Sequence, residues 1–131
     1  MNSMHDDIAA VFIDEARLQE RIIEISSQIN KDYAGKVPVV IGILKGGFLF
    51  LSDLVRAISL PLEVDFMAIS SYGSGTTSSG IVKIRKDIDV DILGRDVIIV
   101  EDIVDSGLSM EYIKDYIWKH KPASVRTCGL L

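Results

Sequence analysis

The residues Glu101-Asp102-Ile103-Val104-Asp105-Ser106-Gly107-Leu108-Ser109 put three carboxylates and two hydroxyls into nine positions. They follow the apolar run Val97-Ile98-Ile99-Val100 and precede an amphipathic stretch, so they read as a strand-to-helix connection. Its two halves suit different groups. Ser106 to Ser109 open the helix, where free N–H groups and the positive dipole end favour a phosphate, and Gly107 lets backbone approach it closely. Glu101 and Asp102 offer acceptors to sugar hydroxyls or to a hard cation such as Mg²⁺, held partly through water. The plain alternative is a capped helix beside two solvated acids. It leaves unexplained why two adjacent carboxylates end an otherwise buried strand, where an uncompensated charge is unfavourable. Phosphate at one end and hydroxyls at the other describe a sugar phosphate.

A second cluster, Leu44-Lys45-Gly46-Gly47, ends the other wholly apolar run. Two glycines permit unusual dihedrals, consecutive N–H groups can nest an anion, and Lys45 brings charge to the same edge. Taken alone this is an ordinary turn; beside the acidic loop it suggests a second oxyanion site, hence a substrate with phosphate at one end and pyrophosphate at the other. The stretch Ser70-Ser71-Tyr72-Gly73-Ser74-Gly75-Thr76-Thr77-Ser78-Ser79-Gly80 cannot build a core and is expected to be a flexible loop that closes over a reactive intermediate. His5 and His120 stand in no metal-ligand spacing, and no zinc site is expected. Cys128, the one cysteine, lies in an apolar run and reads as a packed thiol rather than a nucleophile.

The elements that position these groups follow from periodicity. Leu18, Ile22, Ile25 and Ile29 step by helical intervals, with Asp14 as an N-cap and Gly35 as the stop. Residues 37–44 form a β-branched run of the kind covered on both faces, followed by Phe48, Leu51, Val55 and Ile58 at helical spacing. Leu62, Val64, Phe66 and Ala68 alternate with Glu63, Asp65 and Met67 as a strand. Residues 81–85 read as a short return strand, 87–91 as a solvated connection, 97–100 as a buried strand, Ile113, Tyr116 and Ile117 as a helix, and 125–131 as a last strand. Buried strands alternating with helices predict an α/β fold, a doubly wound parallel sheet whose ligand lies beyond the carboxyl ends of the strands.

Composition agrees. The chain of 131 residues is 48% hydrophobic and 25% charged, enough for one domain with a real core. Fourteen basic against 19 acidic residues, net −5, argue against nucleic acid or an anionic membrane as partner. The N-terminus lacks the basic start of a signal peptide, and a single cysteine fits a cytoplasmic protein.

The segment from Val97 through Ser109 resembles the phosphoribosyl-pyrophosphate (PRPP) binding signature of type I phosphoribosyltransferases. With Gly42-Ile43-Leu44-Lys45-Gly46-Gly47-Phe48, Ser71-Tyr72-Gly73-Ser74 and Gly94-Arg95-Asp96-Val97, the chain from about residue 8 to residue 131 resembles the bacterial hypoxanthine-guanine branch. The resemblance implies the type I core with its flexible loop and purine-salvage transfer from PRPP to hypoxanthine or guanine. It implies Glu101 and Asp102 at the ribose hydroxyls and Mg²⁺, and Asp105, Ser106, Gly107, Leu108 and Ser109 around the 5′-phosphate. It further implies Lys45 and Gly46 at pyrophosphate, Ser71 and Tyr72 in the closing loop, and Asp105 as the catalytic residue facing purine N7. A homo-oligomer is implied as well. Family members continue past the strand at 125–131 into a segment carrying a base-reading lysine and a stacking aromatic. Residues 1–131 are therefore expected to be a single, C-terminally truncated domain holding the PRPP half of the site. The same residues suit a PRPP-binding regulatory or vestigial domain without turnover. A phospho-acceptor signalling domain would need acids after the first buried strand, where Lys45-Gly46-Gly47 stands.

Overall fold

The computed structural model describes residues 15–44, 48–71, 82–101 and 107–129. Among these lie α1 (Glu15–Asp32), β1 (Val39–Leu44), α2 (Phe48–Ala57), β2 (Glu63–Ser71), β3 (Val82–Lys86), β4 (Asp96–Glu101), α3 (Gly107–Trp118) and β5 (Ser124–Gly129). The five strands form one sheet in the order β3-β2-β1-β4-β5. Strands β2, β1, β4 and β5 run parallel, and β3 adds an antiparallel edge.

The two apolar runs become the centre of the sheet because they can be buried on both faces. Along β1, Val40 joins one apolar cluster while Val39, Ile41 and Ile43 join the other; along β4, Ile98 and Val100 are parted in the same way from Val97 and Ile99. Helices α1 and α2 cover the first face through Ile22, Ile25, Ile29, Leu51 and Leu54, and α3 covers the second through Met110, Ile113 and Ile117. The helical spacing read from Leu18 to Ile29 thus marks a true core stripe, and Gly35 follows it with φ +80°, a conformation glycine adopts without strain. Arg126 on β5 ties the sheet back to α1: its guanidinium donates to Asp32 at 2.7 Å and lies 5.7 Å from the centre of the Tyr33 ring.

Three expectations change. Ser70 and Ser71 belong to β2, paired with Lys83 and Val82, rather than to a loop. The alternation of β2 faces the other way: Met67 is fully buried and Asp65 6% exposed, whereas Val64 is 38% exposed. The reason is that Asp65 has been given partners. Its carboxylate accepts the N–H groups of Phe66 (2.7 Å), Asp89 (2.6 Å) and Val90 (3.0 Å), with the Lys86 ammonium 3.6 Å away. Residues 87–91 are accordingly not merely solvated, because Ile88 and Val90 pack on the α3-side cluster while Asp87, Asp89 and Asp91 point outward. The N-cap Asp14, the apolar stretch at 8–13, the turn at 45–47, the loop from 72 to 80 and residues 130–131 lie outside the described residues.

Gly42 sits under α2. A Cβ there would stand 2.5 Å from Leu51 Cδ2 and 3.4 Å from Phe66 Cδ1, and Leu51 is only 2% exposed, so its side chain has little room to retreat. Gly42→Ala is expected to lower stability by about 1–3 kcal/mol through overpacking. In a Leu51→Ala background the same change becomes neutral or stabilising. Urea midpoints of the four proteins give the coupling, and a Gly42→Ala penalty unchanged by Leu51→Ala contradicts the contact.

Burial raises the Asp65 carboxyl pKa, but the N–H donors of Val90, Phe66 and Asp89 and the Lys86 charge outweigh it, and the net shift is downward from 3.8. A depressed folded pKa means stability that is present above the unfolded value and lost as pH falls through the folded one. Asp65→Asn is therefore expected to destabilise the protein by about 1–3 kcal/mol at pH 7, with the gap from wild type closing below about pH 4. Urea melts at the two pH values measure it; a gap independent of pH rules out the charge as its source.

Candidate active site

The crossover from β1 through α2 leads to β2 on one side, whereas the crossover from β4 through α3 leads to β5 on the other. Strand order therefore reverses between β1 and β4, and the two helices leave on opposite faces of the sheet. Such a reversal opens a crevice at the carboxyl ends of the two central strands. Because β1 and β4 run parallel from Val39↔Val97 to Gly42↔Val100, one further step sets Ile43 beside Glu101. Neighbouring strands lie about 5 Å apart, so the carboxyl ends of β1 and β4 stand side by side.

This edge gathers the ends of the elements that carry the sequence-derived site. Glu101, half-buried, closes β4 opposite Gly129 of β5. Gly107, Leu108 and Ser109 form the first turn of α3, whose free N–H groups face the same edge. Ser71 closes β2, which runs on past Ala68, the residue paired with Leu44 at the end of β1. The three further residues of β2 project about 10 Å beyond β1 and stand as a wall beside the crevice, backed by β3. Lys45, Gly46, Tyr72, Asp102, Asp105 and Ser106 lie outside the described residues. The arrangement can present helix-start N–H donors and a carboxylate to one ligand from adjacent strands, as a sugar phosphate requires.

Elsewhere the chemistry is structural. Cys128 packs against the α1–α2 cluster and burial pushes its thiol pKa up, partly opposed by Arg21, which suits a core thiol and not a nucleophile. A groove of about 570 Å³ between α1 and β5 has Ile25, Ile29 and Cys128 among its lining residues and Arg21 and Arg126 beside them. Glu24 and Asp32 already pair with those arginines. His120 Nδ1 lies 3.1 Å from the Tyr116 carbonyl and its ring packs edge-on to Tyr116. Sequence reasoning missed Asp65 as the anchor of the 87–92 connection, since its N–H partners Asp89 and Val90 lie 24 and 25 residues away. It also missed that β2 extends through Ser70 and Ser71; only the pairing with β3 reveals it.

The family model described as phosphoribosyl transferase domain matches residues 13–131. The bifunctional protein TilS/HprT of Listeria innocua is 49% identical over 98% of this chain and 20% of its own length. The hypoxanthine-guanine phosphoribosyltransferase of Mycobacterium bovis is 47% identical over 95% of this chain and 65% of its own. The crystal structure of a hypoxanthine phosphoribosyltransferase from Staphylococcus aureus superposes with a TM-score of 0.89 at 41% identity, covering 98% of this chain and 71% of that one. The chain thus spans a fifth of the bifunctional relative and just under two-thirds of the mycobacterial one. A matched domain of this extent, on a sheet whose strand order reverses where the acidic loop begins, means that the chain belongs to the phosphoribosyl transferase domain family, with its type I fold.

Proposed function

We propose that this protein transfers the phosphoribosyl group of PRPP to hypoxanthine or guanine, giving IMP or GMP and pyrophosphate in purine salvage. The observation that carries the reading is the pairing of family and geometry: relatives named for this reaction match 95–98% of the chain, and its sheet reverses between β1 and β4 where the acidic loop starts. Residues 1–131 act here as one PRPP-binding domain. The substrates are small molecules, the protein is a cytoplasmic homo-oligomer, and neither nucleic acid nor membrane takes part. Among the described residues no helix is long and apolar enough to cross a membrane.

In this reading the N–H groups of residues 105–109 hold the 5′-phosphate, and Glu101 and Asp102 accept the ribose hydroxyls. Lys45 and Gly46 hold the pyrophosphate. Fixing both ends aligns the anomeric carbon between base and leaving group, and orientation alone lowers the barrier by several kcal/mol. As the bond to pyrophosphate breaks, the ring gains positive charge and the leaving group negative charge. Lys45 and the fixed N–H donors meet the negative charge where it forms. Asp105 faces purine N7 and takes or relays its proton as N9 bonds to carbon. Ser71 and Tyr72 exclude water from the intermediate charge separation.

The donor set fits Mg²⁺. Among the described residues no three acidic, His or Cys side chains gather into a metal cage, and Glu101 is a half-buried carboxylate at a strand end. Mg²⁺ keeps several waters and needs only one or two carboxylates besides substrate oxygens, a role for Glu101 and Asp102. When bound, the ion neutralises charge on the pyrophosphate.

Incubating the protein with labelled hypoxanthine, PRPP and Mg²⁺ is expected to yield labelled IMP. Saturable PRPP binding without nucleotide overturns the transfer reaction for this chain. For Asp105→Asn, kcat is expected to fall by about 10²-fold or more, while affinity for PRPP changes little, because asparagine keeps the shape but cannot take a proton. Equal loss in kcat and PRPP affinity moves Asp105 from the base to the phosphate site.

A further inference from the structure

Buried polar side chains in this fold have partners: Ser26 Oγ donates to the Ile23 carbonyl at 3.0 Å, Ser124 Oγ to Asp96 Oδ1 at 2.6 Å, and Asp65 accepts three N–H groups. Among the described residues the exception is Ser70, whose Oγ is buried without a hydrogen-bond partner. An unsatisfied buried hydroxyl opposes folding, and at this strand position alanine or valine would serve packing better.

Its place in the fold gives the hydroxyl a purpose. Ile69 packs on the α3-side cluster, so Ser70 faces the opposite side of the sheet, the side on which Phe66 packs with Leu51 of α2. It lies two residues beyond Ala68, the partner of Leu44, on the part of β2 that projects past the end of β1. Strand β1 separates it from β4 and hence from the start of α3. Ser70 thus stands at the β1 side of the crevice, away from the helix start assigned to the 5′-phosphate.

We propose that Ser70 is a further substrate-binding residue whose hydroxyl donates a hydrogen bond to the diphosphate group of PRPP and of the product pyrophosphate. The inference rests on the phosphoribosyl-transfer reading and adds a residue to it. A hydroxyl–oxyanion bond is charge-assisted and short. It satisfies the orphaned donor only when the ligand is bound, so stability of the free protein is exchanged for affinity.

The test uses wild type, Ser70→Ala and Ser70→Thr of the 131-residue chain, with calorimetric titration of Mg²⁺–pyrophosphate, Mg²⁺–PRPP and ribose 5-phosphate. Ser70→Ala is expected to bind pyrophosphate and PRPP about tenfold more weakly, equivalent to about 1.4 kcal/mol, and ribose 5-phosphate unchanged. Without ligand it is expected to melt about 3–6 °C higher. Ser70→Thr keeps the hydroxyl and is expected to restore binding. Undiminished pyrophosphate affinity in Ser70→Ala overturns the proposal, as does an equal loss for ribose 5-phosphate. A wild-type chain that binds pyrophosphate but not PRPP sinks the transfer reading and leaves Ser70 as a diphosphate ligand; one that binds neither sinks both.

Discussion

The parallel ladder between β1 and β4 sets the geometry of everything around it. Val39 to Ile41 and Val97 to Val100 are almost wholly removed from water, so their N–H and C=O groups must be satisfied by strand pairing. Parallel strands need long crossovers, and right-handed crossovers heading to opposite sides of this pair place α2 on one face and α3 on the other. The crevice is the consequence. It lies between β1 and β4, the neighbours from which the two crossovers head in opposite directions. Gly42 serves the same construction, because a side chain there would hold α2 away from the sheet through Leu51.

The far side of the sheet solves a different problem. Strand β3 is short and carries Lys83, Arg85 and Lys86, a composition that discourages pairing with another chain at an open edge. Beyond it the chain is held by polar bonds as well as apolar contacts. Asp65 clamps residues 89–90, Lys86 donates to the carbonyls of Phe66 and Asp87, and the Tyr116 hydroxyl donates to Asp87. The bond to Asp87, then burial, pushes the Tyr116 pKa up to about 12, so the phenol remains a donor throughout the physiological range. Helix α3, whose first turn faces the crevice, is thereby fastened to the end of the β2–β3 pair remote from that crevice.

What could be read from sequence follows from which interactions are local. The runs at 37–44 and 97–100 declare themselves because a strand covered on both faces needs no polar positions, and the helices declare themselves through spacing within each segment. Strand β2 misleads for the same physical reason: both of its faces meet other groups, so alternation alone does not say which side is inward. Asp65 is buried only because donors 24 and 25 residues away converge on it. Ser70 and Ser71 look like loop by composition and become strand through pairing with residues 82 and 83. The acidic and glycine-rich segments are legible as chemistry, and because each follows a wholly apolar run, a doubly wound sheet sets both at its carboxyl edge. That β1 and β4 are direct neighbours depends on strand order, which no periodicity encodes.

The net charge of −5 poses a question for a chain proposed to bind a ligand as anionic as PRPP. Screening answers part of it: at physiological salt the Debye length is about 8 Å, so acids scattered over the outer surface, such as Asp89 and Asp91, contribute little at the crevice. Short-range donors must then decide the affinity, and helix-start N–H groups supply them without net charge.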